Sequence, residues 1–261
     1  MTITHKCFCL LAAMIAAASS GFSQTAAVTS VNAANDRAIV APDSIASAWG
    51  AGFSTTTTAG TLTDGSLPVS VGGVQLSLVD NSMATLTPTL YMVSPAQINY
   101  VVPANAALGA ATLTVQSMSG TADGAVLISN VSPCIFTFNG SGTGVPAAQV
   151  LTYNPAGQVT NTSPAESGSS TFAPNPIAIG SNQVYIVLYG TGVRRHSLNP
   201  VFATVKGISV PVAYAGSQGQ FPGLDQINIG PLPTSLAGAG TTDLIVTVDG
   251  VPANSVQLAF H

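Results

Sequence analysis

This sequence predicts a protein made almost wholly of short β-strands, with one structural unit built twice. Three observations carry that reading. Charged residues make up only 5% of the 261 positions, against ~25% in ordinary soluble domains, which leaves too few Glu, Lys and Arg for long surface helices. Val- and Thr-rich runs are broken by 26 glycines and 17 prolines, the pattern of strands separated by tight turns. A set of motifs also recurs in the same order, with Gln97-Ile98-Asn99 returning as Gln226-Ile227-Asn228, 129 positions later.

The chain opens with MTITHKCFCLLAAMIAAASSGFSQ, which reads as a signal peptide over residues 1–23. Lys6 supplies the positive start, an apolar run extends from Cys7 to Ala18, and Gly21 and Ser23 form a small-x-small cleavage site. The run is shorter than the ~20 apolar residues a membrane span needs. Cleavage leaves four basic and nine acidic side chains, a balance that gives no reason to expect a nucleic-acid partner. The expected mature protein is exported, without a transmembrane segment, and located extracellularly, at the cell surface or in the periplasm. Cys134 is then the only cysteine, so no intrachain disulfide can form. Within SPCIF it reads as a small buried hydrophobe.

The first unit is expected over residues 24–132 and the second over 133–261. AWGAGF (48–53) matches LYGTGV (188–193), VSVGGVQLSLV (69–79) matches ATVKGISVPVAY (203–214), and ATLTVQS (111–117) matches DLIVTVDG (243–250). Asp249-Gly250 is a two-residue hairpin turn, and VYIVLYG is apolar enough for the middle of a sandwich. Within the second unit, residues 139–182 form an insertion holding one hairpin, AAQVLTYNPAGQVTN, turning at Pro155-Ala156-Gly157. Several strands and turns per ~100 residues describe an Ig-like β-sandwich, so the expectation is two Ig-like domains in tandem.

In the repeated triplet, Ile98 and Ile227 should face the core and the flanking amides the opposite side. Gln97, Asn99, Gln226 and Asn228 are then expected to hydrogen-bond backbone groups of the preceding turn. This makes the triplet a structural repeat motif.

Catalytic chemistry is thinly represented. Only His196 and His261 remain after the leader, and no G-x-S-x-G elbow exists, since NGSGTG has Asn139 in place of the first glycine. The acids are scattered singly, several beside glycines, where turn formation accounts for them. No H-E-x-x-H, cysteine pair or calcium loop occurs after the leader. The expectation is therefore no catalytic residue, no metal site and no cofactor. GVRRHS holds the one charge cluster, and Arg194, Arg195 and His196 are the candidate interaction residues. The alternative for that loop is solvation, or pairing of an arginine with a nearby acid.

The stretches VSPAQINYVVP (93–103), VYIVLYGTGVR (184–194) and YAGSQGQFPGLDQINIGPLPTSLAGAGTTDLIVTVDG (214–250) resemble the Solibacter-type uncharacterised C-terminal domain family. This is an exported bacterial module in the style of the IPT/TIG Ig-like domains, and the resemblance covers nearly all of the mature chain. It implies a two-part β fold and an exported location, and no activity. Cys134 stands where the family pattern has glycine. The functional expectation is a non-enzymatic adhesion, envelope or carbohydrate-contact module, its partner an envelope polysaccharide or another surface protein. The alternatives are a secreted hydrolase using His196 or an acid pair, and a structural spacer or assembly subunit.

Overall fold

The computed structural model describes residues 27–166 and 172–261. The leader, residues 1–23, lies outside the described residues. Fifteen strands carry the architecture. In the first half they are β1 (Thr29–Asn32), β2 (Ile45–Trp49), β3 (Val74–Val79), β4 (Thr89–Val93), β5 (Gln97–Val101), β6 (Gly109–Ser117) and β7 (Gly120–Ile128). The second half holds β8 (Ala148–Tyr153), β9 (Val159–Thr162), β10 (Gln183–Thr191), β11 (Phe202–Val205), β12 (Val212–Ser217), β13 (Asp225–Ile229), β14 (Gly240–Val248) and β15 (Val256–Phe260). The one helical turn among the described residues is a 3₁₀ turn at Thr234–Leu236. The all-β class is thus realised as two β-sandwiches.

Each half closes around its own apolar core. The first runs from Val28 to Ile128, with Leu78, Leu90, Ile98, Tyr100 and Leu113 at its centre. The second runs from Val131 to Phe260, around Ile186, Leu188, Ile227, Ile229 and Leu244. Each core lies between two sheets. One sheet of the first half has the order β1-β2-β5-β4, and its counterpart in the second has β9-β8-β10-β13-β12, with the segment Cys134–Ile135 also pairing β10. Facing them are β7-β6-β3 and a sheet in which β14 pairs β11 on one side and β15 on the other. The pairings among these strands are antiparallel; the two-residue segment Ile39–Val40 joins β7 in parallel, as does the single bridge from Ala27 to Asp123.

The turns follow from residue chemistry. Val71 and Val74 pair around Gly72-Gly73, and Val205 and Ile208 around Lys206-Gly207, both central residues having positive φ in each case. That is the two-residue turn whose twist matches a hairpin. Asp249-Gly250 turns the same way between Val248 and Val251. The β8–β9 hairpin closes through Gly157 N–H to Asn154 O at 2.9 Å and Asn154 N–H to Gln158 O at 3.0 Å.

The two halves differ in how one hairpin enters its sheet. In the first half the arm after the turn, β3, pairs with β6. In the second half the arm before the turn, β11, pairs with β14, and the later arm Ile208–Val210 lies at the edge. Pro211, which carries no N–H, follows directly on the later arm, which is three residues long.

The halves are joined by specific bonds. Asn32 Nδ2 donates to Ser132 O at 2.9 Å, the Ile45 N–H to Thr191 Oγ1 at 2.8 Å, and Tyr91 Oη to Pro222 O at 2.7 Å. Arg37 Nη1 reaches Pro252 O at 2.8 Å. Gly192 and Gly223 permit this approach. A Cβ on Gly192 would collide with Ser132 O, and one on Gly223 would lie 2.7 Å from Ile45 Cγ1.

Candidate functional site

Strand alternation decides which side chains reach the outside of the β9-β8-β10-β13-β12 sheet. On β10, Val184, Ile186 and Leu188 enter the core, so Gln183, Tyr185, Val187 and Tyr189 point outward. On β13, Ile227 and Ile229 enter the core, so Gln226 and Asn228 point outward. Tyr153 stands opposite Gln183, Val187 opposite Asn228, Tyr189 opposite Gln226, and Tyr214 of β12 opposite Asn228. All four tyrosines of the second domain therefore share one face with a band of primary amides. The five strands hold a single charged residue, Asp225, and its side chain is turned inward and fully buried.

Tyr153 and Tyr185 meet edge to face, with ring centroids 5.5 Å apart and planes at 81°, a favoured aromatic geometry. Beside them is a shallow cavity of about 260 Å³, with Leu151 and Val187 among its apolar walls and Gln183 and Asn228 as its polar groups. Enclosed ligand pockets run to ~300–1,000 Å³, so this seat suits a ring laid on the surface and not an engulfed ligand. Gln226 Nε2 donates to Asn228 Oδ1 at 2.9 Å. That bond fixes both amide planes and leaves the Asn228 NH₂ as donor and Gln226 Oε1 as acceptor for another molecule.

The triplet in the first domain repeats this geometry: Gln97 Nε2 donates to Asn99 Oδ1, also at 2.9 Å, and Ser47 Oγ donates to the same oxygen at 2.8 Å. Ile98 and Ile227 are both fully buried, as the alternation requires. The expected bonding of the amides to turn backbone does not occur. Ser94 holds the first turn instead, its Oγ accepting from Gln97 N–H at 2.9 Å and donating to Gln97 O at 3.0 Å. Position i and i+2 amides on one strand face are simply nearer to each other than to the turn.

Arg194, Arg195 and His196 lie in the loop after β10, and both guanidinium groups are taken within the chain. Arg194 Nε meets Asp225 Oδ1 at 2.6 Å, and its Nη2 donates to Leu224 O at 2.7 Å. Asp225 Oδ2 accepts from the backbone N–H groups of Val193 and Arg194 at 2.7 and 3.2 Å. Burial pushes the Asp225 carboxyl above its usual range, against the opposing pull of Arg194 and these backbone bonds. Arg195 reaches Asp43 of the first domain at 2.6 Å and Ala104 O at 2.5 Å. The His196 ring nitrogens lie 2.7 and 3.2 Å from the carbonyls of Ser197 and Ala215. His196 and Asp225 therefore form no base–carboxylate pair, and the loop works as a domain joint.

Cys134 is fully buried, and burial pushes its thiol up to about 12, which disfavours the nucleophilic thiolate. Among the described residues no group of three His, Cys, Asp or Glu converges as metal ligands would. No helix among them is long and apolar enough to cross a membrane.

No family model matches the chain, and no curated protein matches it. Among solved structures, it is similar to SGBP-B of the Bacteroides ovatus mixed-linkage glucan utilization locus, in complex with a mixed-linkage heptasaccharide. That likeness has 13% identity and a TM-score of 0.32, over 86% of this chain and 44% of that one. SGBP-B from a complex xyloglucan utilization locus in Bacteroides uniformis gives 13% identity and a TM-score of 0.25, over 90% of this chain and 48% of that one. The I9–I11 tandem of titin gives 9% identity and a TM-score of 0.22, over 85% and 62%. The chain spans less than half the length of either SGBP-B and less than two thirds of the titin tandem. Overlaps this low carry no functional assignment to this chain.

Proposed function

We propose that this protein is an exported, non-enzymatic carbohydrate-contact module whose second domain lays uncharged polysaccharide across its tyrosine–amide face. One observation carries the reading: the Tyr153–Tyr185 pair stands beside Gln183 and Asn228 on a sheet face without a charged side chain. A pyranose ring presents an apolar C–H face and a rim of hydroxyls that both donate and accept. Tyrosine rings match the first, being large apolar surfaces with a polar tip, and primary amides match the second. An anionic ligand would find no cation there, and an enclosed substrate would find no depth. Export rests on the leader read from residues 1–23 and on the resemblance of the repeated stretches to an exported module.

Native gels cast with β-glucan, xylan, galactomannan or amylose, and with polygalacturonate as the charged control, test the proposal. At least one uncharged polymer retards the protein. The Tyr153→Ala/Tyr185→Ala variant is retarded less than the parent while keeping the melting temperature of the parent. Retardation only by the charged polymer, or equal retardation of the variant, contradicts the assignment. Shortening of a polymer during incubation would favour the hydrolase reading.

A further inference from the structure

The first domain repeats more of the tyrosine–amide face than the triplet alone. On β2 and β5 the paired positions are Trp49 with Gln97 and Ser47 with Asn99. On β10 and β13 they are Tyr189 with Gln226 and Val187 with Asn228. In both domains the glutamine of the triplet therefore stands directly across from an aromatic ring on the neighbouring strand, and the same Nε2-to-Oδ1 bond at 2.9 Å locks the two amides.

Core formation explains Ile98 and Ile227, but it does not explain this outer set. Ala46 and Ala48 are the core residues of β2, so Ser47 and Trp49 belong to the outer face. Trp49 is 39% exposed, and Gln97, Asn99 and Met92 beside it are half-buried. Met92 pairs with Asn99 and extends the apolar floor on the side away from Trp49. After the internal bond, Asn99 keeps its NH₂ as donor and Gln97 its Oε1 as acceptor, the same free groups as on the second domain. None of the strands β1, β2, β4 and β5 carries an Asp, Glu, Lys, Arg or His.

We infer that Trp49, Gln97 and Asn99 form a second, separate seat for a sugar ring of an uncharged polysaccharide, so that one chain holds two such seats. The ligand class follows from the residues: an indole face for the apolar side of the ring, locked amides for its hydroxyls, and no charge to favour an ion. This inference rests on the glycan-contact reading of the second domain and adds an independent site to it.

Trp49 is the only tryptophan of the chain, so its fluorescence reports this seat alone. The full-length protein and the Tyr153→Ala/Tyr185→Ala variant are titrated with each polysaccharide that retards the parent in gels. The expected result is a saturable change in tryptophan emission in both proteins, with midpoints that agree within about threefold. Asn99→Ala and Gln97→Ala should each weaken that response at least about tenfold, as loss of a central contact does, without lowering retardation through the second domain. Unchanged emission while the parent is retarded overturns the second seat and leaves the first standing. Emission that responds in the parent but not in the tyrosine variant also overturns it, because the signal would then be relayed from the other face. Absence of retardation by every polymer removes the underlying reading together with this one.

Discussion

Replacing Asp225 by alanine tests whether the Arg194–Arg195–His196 loop is a joint. Asp225 has no exposed side-chain surface and Arg194 keeps only 17%. The substitution strips the acceptor from three donors at once: the N–H groups of Val193 and Arg194 and Nε of Arg194. Only the bond from Arg194 Nη2 to Leu224 O survives. Breaking a buried pair from one side costs ~3–5 kcal/mol, since the remaining charge is left unpaired. For a domain of this size each kcal/mol shifts the midpoint by ~3–5 °C, so the transition of the second domain should fall by ~10–20 °C in differential scanning calorimetry. Arg195→Ala supplies the contrast, because its pair with Asp43 is open to solvent, at 39% and 27% exposure. Pairs of that kind contribute ~0–1 kcal/mol. If Asp225→Ala shifts the midpoint no further than Arg195→Ala, the loop is not held from within and the joint reading fails.

Asp80 gives a pH signature. Its carboxylate accepts from the N–H of Ala107 at 2.8 Å, from Ser82 Oγ at 2.7 Å and from the N–H groups of Ser82 and Ala84. These bonds, that of Ala107 foremost, hold its carboxyl below 3.8. Its contribution is therefore present above the unfolded value of 3.8 and lost as pH falls through the lower folded value. Asp80→Asn should lower the melting temperature at pH 7, with a gap that narrows below pH ~4; a gap constant down to pH ~2.5 contradicts this. Cys134 should resist thiol reagents in the native protein at pH 8 and react fully after unfolding, as its burial and its value of about 12 require; rapid native labelling would show that the strand pair at Cys134–Ile135 opens.

Much of the fold was legible because it is written in short-range pattern. Asp249-Gly250 and Gly72-Gly73 announce their turns through positive φ at low steric cost. Ile98 and Ile227 announce the core by alternation. The candidate site was legible only in part, since cross-strand neighbours are set by register, which local sequence does not show. Tyr153 and Tyr185 are 32 residues apart in the chain, with part of an insertion between them, and become neighbours only when β8 pairs with β10. Arg194 and Asp225 are brought together in the same way by β10 and β13. The triplet itself was visible twice, but the aromatic residue facing it, Trp49 or Tyr189, sits on another strand. The exchange of hairpin arms between domains is likewise a matter of which strand each arm pairs with, which a motif alignment does not show.

Glycan contact through the tyrosine–amide face is tested most directly by a chemical-shift map of the labelled protein during titration with an uncharged oligosaccharide taken from a polymer that retards it. Saturable shifts are expected on the ring signals of Tyr153 and Tyr185 and the side-chain amides of Gln183, Gln226 and Asn228. Shifts confined to the Arg194–His196 loop or to the opposite sheet, β11, β14 and β15, would contradict it.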